Sequence, residues 1–208
     1  MTQTDATVAA FRENAERVSA IVAEVSSAEA AFQYAVDLCE EKEACQLLVS
    51  GCDAPLSPKA GDLCETKQAK VMAAPGLDPA DRDRLKALCE ERGIVLADDD
   101  LRAHLAGIDV GVTVADGAIA DTGTLMIGSS SEAVRLATMI SEVHIALLPL
   151  SRLRATGYDL EADLADRMGS PPDYTAFITG ASRTADIERV LTLGVHGPLS
   201  LHILLWED

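Results

Sequence analysis

The sequence predicts an α/β domain with a mostly parallel sheet flanked by helices. Two observations carry that expectation. Short apolar strand patterns alternate with helical patterns at short spacing, as strand–helix–strand units do. Apolar residues make up 48% of the 208 but aromatics only 3%, so Ala, Val, Leu and Ile must fill the core, which suits helices layered on a sheet. The length allows one domain with a full core, or a domain plus a helical appendage. No internal repeat or interior linker stands out. Residues 1–43 read as an N-terminal helical segment and 44–208 as the α/β domain.

The elements follow in chain order. Val8, Phe11, Ala15, Val18 and Val22 share one face of a helix predicted from Thr7 to Val22. Ser26 and Glu29 have capping-box spacing and open a second helix reaching about Glu43. Gln46 to Ser50 is a short strand ended by Gly51. The prolines and glycine of 52–62 mark a loop, and Ala69 to Ala73 is the next strand. Asp78 caps a helix with Pro79 at its first position, stopped by Gly93. Ile94 to Ala97 is a strand, and Asp98 to Asp100 lead into a short helix to about Leu105. The runs VGVTV, AIA and TLMI within 108–127 are strands separated by Asp-Gly and Thr-Gly turns. Ser129 to Ser131 lead into a helix through Ile140, and Val143 to Leu148 is a strand. Asp159 to Met168 is amphipathic and stops at Gly-Ser-Pro-Pro. Tyr174 to Thr179 reads as a buried strand. A loop, a helix, a second loop and the strand Leu199 to Trp206 close the chain.

Composition excludes several functions. With 34 acidic and 17 basic residues the formal charge is -17. Such a chain repels phosphate backbones and anionic membranes, so neither nucleic acid nor a membrane is expected as a partner. A small anionic ligand remains compatible where local dipoles and Arg side chains override the global field. No apolar run approaches the roughly 20 residues of a membrane span. The odd cysteine count (Cys39, Cys45, Cys52, Cys64, Cys89) and the absence of both a leader and C-x-x-C point to reduced thiols in the cytoplasm. Each cysteine reads as a small buried hydrophobe. His104, His144, His196 and His202 lack metal-ligand spacing, so no metal is expected. His144 and His202 read as sheet residues and His104 as an exposed helix position. Asp98 to Asp100 read as a solvated cap, not a calcium loop.

Three segments have the composition of a site. In TGASRTADIE, Gly180 turns the backbone, and Ser182, Arg183 and Thr184 precede a helical pattern carrying Asp186 and Glu188. Capping accounts for Ser182, Thr184 and Asp186, and so does an anion held at a helix N-terminus. Arg183 favours the anion, because capping needs no cation. In GVHGP, His196 sits between Gly194 and Gly197. A histidine on such a loop serves as acid, base or ligand, or simply bonds to backbone. The third segment is Asp121, Thr122, Gly123 and Thr124, with Ser129 to Ser131 beyond the next strand. Asp121 is a nucleophile or base if it faces a cleft, and a turn former otherwise. Asp116-Gly117 is a plain turn.

The segments IADTGTL (119–125), VHIALLP (143–149) and ITGASRTADIERVLTLGVHGPLSLHILL (178–205) together resemble the lactate-utilization protein C family, the LUD-domain proteins. The last segment is the most specific, with SRTADIE and LGVHGP in order. The resemblance covers about residues 25 to 206. It implies the NagB/RpiA/CoA-transferase-like fold, and iron–sulfur partner subunits in an assembly that supports oxidation of L-lactate to pyruvate. The motif positions it carries over are Thr122, Gly123 and Thr124; Gly180, Ser182, Arg183, Thr184, Asp186 and Glu188; and Gly194, His196, Gly197 and Pro198. Two positions depart from the family pattern. Asp121 stands where Glu is more frequent, which shortens the carboxylate's reach and weakens a nucleophilic role. Ala181 stands where Pro is usual.

The sequence has no Rossmann glycine fingerprint, flavin fingerprint or ferredoxin cysteine run, so no cofactor is expected and a non-redox role follows. Catalytic roles, if any, fall to Asp121 and His196. Thr122, Gly123, Thr124, Gly180, Ser182, Arg183, Thr184, Asp186 and Gly197 would bind ligand. The alternative is a stand-alone transferase, isomerase or cyclo-ligase acting on a CoA ester, sugar phosphate or folate. It requires Asp121 to face the same cleft as Arg183 and His196.

Overall fold

The computed structural model describes residues 3–43, 57–59, 62, 69–97, 100–104, 107–169, 174–185, 191–194 and 196–208. The expected strand Gln46 to Ser50, the loop around Cys52, the cysteines Cys45, Cys52 and Cys64, and Asp98, Asp99, Asp186 and Glu188 lie outside those residues.

Helix α1 spans Gln3–Arg17. It stops short of the expected Val22, because the chain turns at Ser19, whose φ is 67°. Ala20–Glu24 is strand β1, where Ile21 and Val22 suit an extended backbone. Ala28–Glu41 is α2; its cap is Ser27, one residue beyond Ser26, and the Ser27 Oγ accepts the Ala30 N–H at 3.2 Å. Val71–Ala73 is β2. Helix α3, Pro79–Glu91, begins as its cap predicts, with Asp78 Oδ1 accepting from the N–H groups of Ala80 (2.9 Å) and Asp81 (3.0 Å). Val95–Ala97 is β3, and a 3₁₀ turn covers Leu101–His104. Ile108–Val114 (β4), Gly117–Ile119 (β5) and Thr124–Gly128 (β6) follow. Glu132–Ile140 is α4, Ser141–Pro149 is β7 and Leu153–Arg154 is β8. Glu161–Met168 is α5 and Thr175–Thr179 is β9. The short strands Arg183–Thr184 (β10) and Thr192–Leu193 (β11) precede Ser200–Trp206 (β12).

The central sheet is the expected parallel one, six-stranded in the order β1-β12-β7-β4-β2-β3. The N-terminal segment is therefore not helical throughout: β1 forms an edge of this sheet, with Ala20 opposite Leu201 and Glu24 opposite Leu205. A second sheet, β8-β5-β6-β9, is mostly antiparallel. The sequence showed β5, β6 and β9 but not β8, nor that these strands leave the parallel sheet. β9 is not buried; it is the edge of the second sheet, and Phe177 on it is 49% exposed.

Helices α2 and α3 cover one face of the central sheet, where Phe32, Val36 and Leu85 meet Val110, Val112 and Ile145. Cys39 and Cys89 are buried in this layer, and burial pushes their thiols up to about 12 and about 11. They act as small hydrophobes. On the other face α1 and the second sheet share a layer rich in alanine, including Phe11, Ala15, Ala118, Ala120, Ala146 and Leu201. Helix α4 packs beside it through Ala133 and Ala137.

One buried charge holds strand starts together. Asp109 on β4 is fully buried; its Oδ1 accepts from Lys42 Nζ at 2.9 Å and its Oδ2 from the Val71 N–H at 2.7 Å. Lys42 also lies 3.2 Å from Glu142. Burial opposes the Lys42 charge, but the bonds and charges of Asp109 and Glu142 outweigh it and raise the ammonium above its ordinary pKa. Asp109→Ala, which leaves Lys42 with Glu142 alone and removes the acceptor of the Val71 N–H, is expected to cost about 3–5 kcal/mol. The double variant Asp109→Leu/Lys42→Met is expected to regain most of the loss. Urea unfolding midpoints check both, and a double variant no more stable than the single one would contradict the account.

Candidate functional site

The site begins with the alternation of β9. Tyr174, Ala176, Ile178 and Gly180 point inward and line a cavity of about 270 Å³. Its opposite wall is the central sheet, through His144 of β7 and Leu201 of β12. Helix α4 supplies Arg135, Thr138 and Met139, and the loop before β12 supplies His196, Gly197 and Pro198. The cavity thus lies beside the amino-terminal halves of β7 and β12.

Backbone contacts fuse the two glycine loops. The Ser182 N–H donates to the Pro198 carbonyl at 3.1 Å, and the Gly194 N–H donates to the Ser182 carbonyl at 2.9 Å. Gly180 adopts φ 75°, and a Cβ there would stand 2.0 Å from the Val18 carbonyl oxygen, so no side chain fits. Arg135 Nη1 donates to the carbonyls of Ser129 (2.6 Å) and Ser130 (2.9 Å), which fixes the guanidinium at the wall.

Of the residues expected at a site, Gly180, Ser182, His196 and Gly197 line this cavity. Thr122, Gly123, Thr124 and Asp121 do not. The Thr124 hydroxyl bonds to those of Thr122 and Thr179, each at 2.8 Å, so the Thr-Gly-Thr turn does touch the end of β9. Thr179, however, lies on the face of β9 away from the cavity. Asp121 is exposed on that turn, its backbone N–H bound to the Ala155 carbonyl at 3.1 Å. Arg183 and Thr184 pair with Leu193 and Thr192 in a two-residue antiparallel ladder. Their backbone is extended, Arg183 is exposed, and neither lines the cavity. The helix expected behind them falls on 186–190, outside the described residues, as does Asp186.

Among the described residues the cation lining the cavity is Arg135, not Arg183. Sequence reasoning reached the helix that carries Arg135 but not its role, although Arg135 is the one basic residue in EAVRLATMI. His144, read as a sheet residue, is indeed buried in β7, with Nε2 at 2.8 Å from Thr113 Oγ1. Yet it also forms the cavity floor. Burial pushes its pKa down to about 4.

A second, larger cavity of about 550 Å³ opens at the carboxyl ends of β2, β4, β7 and β12. From β2 the chain moves outward to β3, and from β4 it moves the other way to β7 and β12. Open α/β sheets commonly bind ligands at such a reversal. Among its described lining residues are Asp78, Asp81, Asp116 and Asp208 and one cation, Arg152; Asp116 also pairs with Arg167 at 2.9 Å and Asp81 with Arg84 at 3.0 Å, which leaves the lining acidic. Burial and the neighbouring Asp78 charge raise the Asp81 pKa. An anion is disfavoured there, so the smaller cavity is the candidate anion site. Among the described residues no cluster of His, Cys, Asp or Glu could hold a metal, and no helix is long and apolar enough to cross a membrane.

Fold and cavity together define an α/β domain with a pocket between its two sheets. The LUD domain family model matches residues 8–206, and the chain belongs to that family. A lactate utilization protein C of Exiguobacterium is 36% identical over 103 residues, 48% of this chain and 45% of its own. One from Halalkalibacterium halodurans is 35% identical, also over 48% of this chain and 45% of its own. An uncharacterized protein of Neisseria meningitidis is 38% identical over 98 residues, 47% of this chain and 42% of its own. The chain matches a little under half the length of these curated relatives. The crystal structure of a DUF162 family protein from Deinococcus radiodurans superposes with a TM-score of 0.57, at 17% identity and over 99% of each chain. It shares the fold.

The buried His144 makes stability depend on pH. Its folded pKa lies below that of the unfolded chain, so the unfolded state takes the proton first as pH falls. Its contribution is whole above pH 6.5 and is lost between 6.5 and about 4. The loss is roughly 3 kcal/mol. Denaturant unfolding at pH 7.5, 5.5 and 4.5 is expected to show a smaller loss for His144→Gln than for the native chain. Equal losses would contradict this assignment.

Proposed function

We propose that the protein is a cytoplasmic, non-redox component of an iron–sulfur assembly that supports oxidation of L-lactate to pyruvate, and that the cavity beneath β9 holds a small carboxylate. The observation behind this reading is the meeting of Gly180, Ser182, His196 and Gly197, from the family's two glycine loops, with Arg135 on one cavity. An Arg guanidinium and neighbouring hydroxyls suit a carboxylate in a chain that otherwise repels anions. The names of the lactate utilization protein C relatives support a role in lactate utilization.

Iron–sulfur clusters need thiolates, and among the described residues the cysteines are Cys39 and Cys89, which burial keeps as thiols. This reading assigns electron transfer to partners. Met139, Tyr174 and Leu199 are exposed beside the cavity loops, as Phe177 and Leu193 are nearby. Such apolar exposure suits a partner surface. The stand-alone enzyme reading needs Asp121 at the cavity, and Asp121 does not line it.

Affinity purification from cells grown on L-lactate is expected to recover iron–sulfur proteins with the native chain. Arg135→Gln is expected to slow growth on L-lactate and leave growth on glucose unchanged. Recovery without iron–sulfur proteins, together with normal lactate growth of a deletion strain, would contradict the proposal.

A further inference from the structure

His144 lies outside both glycine loops, yet its surroundings are unusual for a sheet histidine. It is 1% exposed and lines the cavity. Its Nε2 is used by Thr113, at 2.8 Å, and among the described residues Nδ1 has no partner. No sealed side-chain nitrogen or oxygen lacks a hydrogen bond among those residues, so Nδ1 is not sealed. His144 lines the cavity, and we assign the opening of Nδ1 to it.

The tautomer follows from Thr113, which is also 1% exposed and makes no other hydrogen bond through its side chain among the described residues. If Nε2–H donated to Thr113, the hydroxyl proton would have no acceptor among the described residues, although Thr113 also lines the second cavity. Satisfaction within the protein favours the hydroxyl donating to Nε2, which puts the ring proton on Nδ1. Burial keeps the ring neutral at physiological pH. The floor thus offers one fixed N–H donor. Ala176, Ile178 and Leu201 supply apolar wall, and Arg135, Ser182 and His196 supply polar groups for a carboxylate.

We infer that His144 is a binding residue that donates from Nδ1 to the keto oxygen of a small 2-oxo carboxylate seated in this cavity, an inference that rests on the carboxylate reading above. A volume of about 270 Å³ suits an acid of this size. Recognition by a single buried donor is selective, because a ligand without the oxygen leaves that donor unpaired.

The test uses the full chain, pyruvate, and propionate as the analogue lacking the 2-oxygen. Calorimetry is expected to show pyruvate binding about tenfold tighter than propionate. Nitrogen NMR of the imidazole is expected to show His144 as the Nδ1–H tautomer, with Nδ1 shifting on addition of pyruvate. His144→Phe is expected to bind both acids equally. Should that variant fail to fold, the imidazole spectrum of the native chain decides alone. If neither acid binds, the carboxylate reading of the cavity falls and this inference with it. If both bind equally, or the ring is the Nε2–H tautomer, the carboxylate reading stands and the role of His144 falls.

Discussion

A core poor in aromatics must pack backbones closely, and the rest of this structure depends on that constraint. The layer between the two sheets is built largely of alanine and branched aliphatics, with Phe11 its one aromatic among the described residues. Small side chains leave voids unless the elements approach one another. Gly123 and Gly180 allow that approach. A Cβ on Gly123 would lie 2.3 Å from the Ala15 backbone nitrogen, and one on Gly180 2.0 Å from the Val18 carbonyl oxygen. Both glycines have positive φ, so the turns and the contacts require the same residue. Two polar links secure α1 there. Arg12 Nη1 donates to the Val22 carbonyl at 2.6 Å, and Asn14 Nδ2 to the Ala120 carbonyl at 2.9 Å. One link reaches each sheet.

The cavity is a consequence of this packing. The end of β9 is held down at Gly180, and the Ser182 peptide binds the His196 loop to it. The second sheet therefore stands over the first halves of β7 and β12. Arg135 closes the wall by binding carbonyls of the chain that leads from β6 into α4. The site is consequently distinct from the crevice at the carboxyl ends of the strands, which the acidic side chains suit poorly to anions. Local charge decides between the two spaces, not volume.

Features set by neighbours in sequence were legible from the chain alone. The Asp78–Pro79 cap and the start of α3 are read correctly because cap and helix are adjacent. The parallel central sheet follows from the order of strands and helices. The glycine loops are recognisable from composition, and six of their residues do line the cavity. What was not legible depends on distant partners. Val18 and Val22 share helical spacing, but pairing of Ala20–Glu24 with β12 overrides it. Thr122 to Thr124 looked like a site, yet the alternation of β9 turns their hydroxyl chain away from the cavity. His144 gains its character from Thr113, on a neighbouring strand and 31 residues away. Arg135 gains its position from helix α4 crossing the open side of the pocket.

The central claim is that the space enclosed by the two sheets, and not the carboxyl-end crevice, receives the ligand. Amide chemical-shift mapping during a pyruvate titration tests it most directly. The account predicts saturable shifts at Ser129, Ser182 and Gly197, from three separate segments, with one shared dissociation constant. Saturable shifts at Gly76, Asp116 and Asp208, with those three amides unmoved, would contradict it.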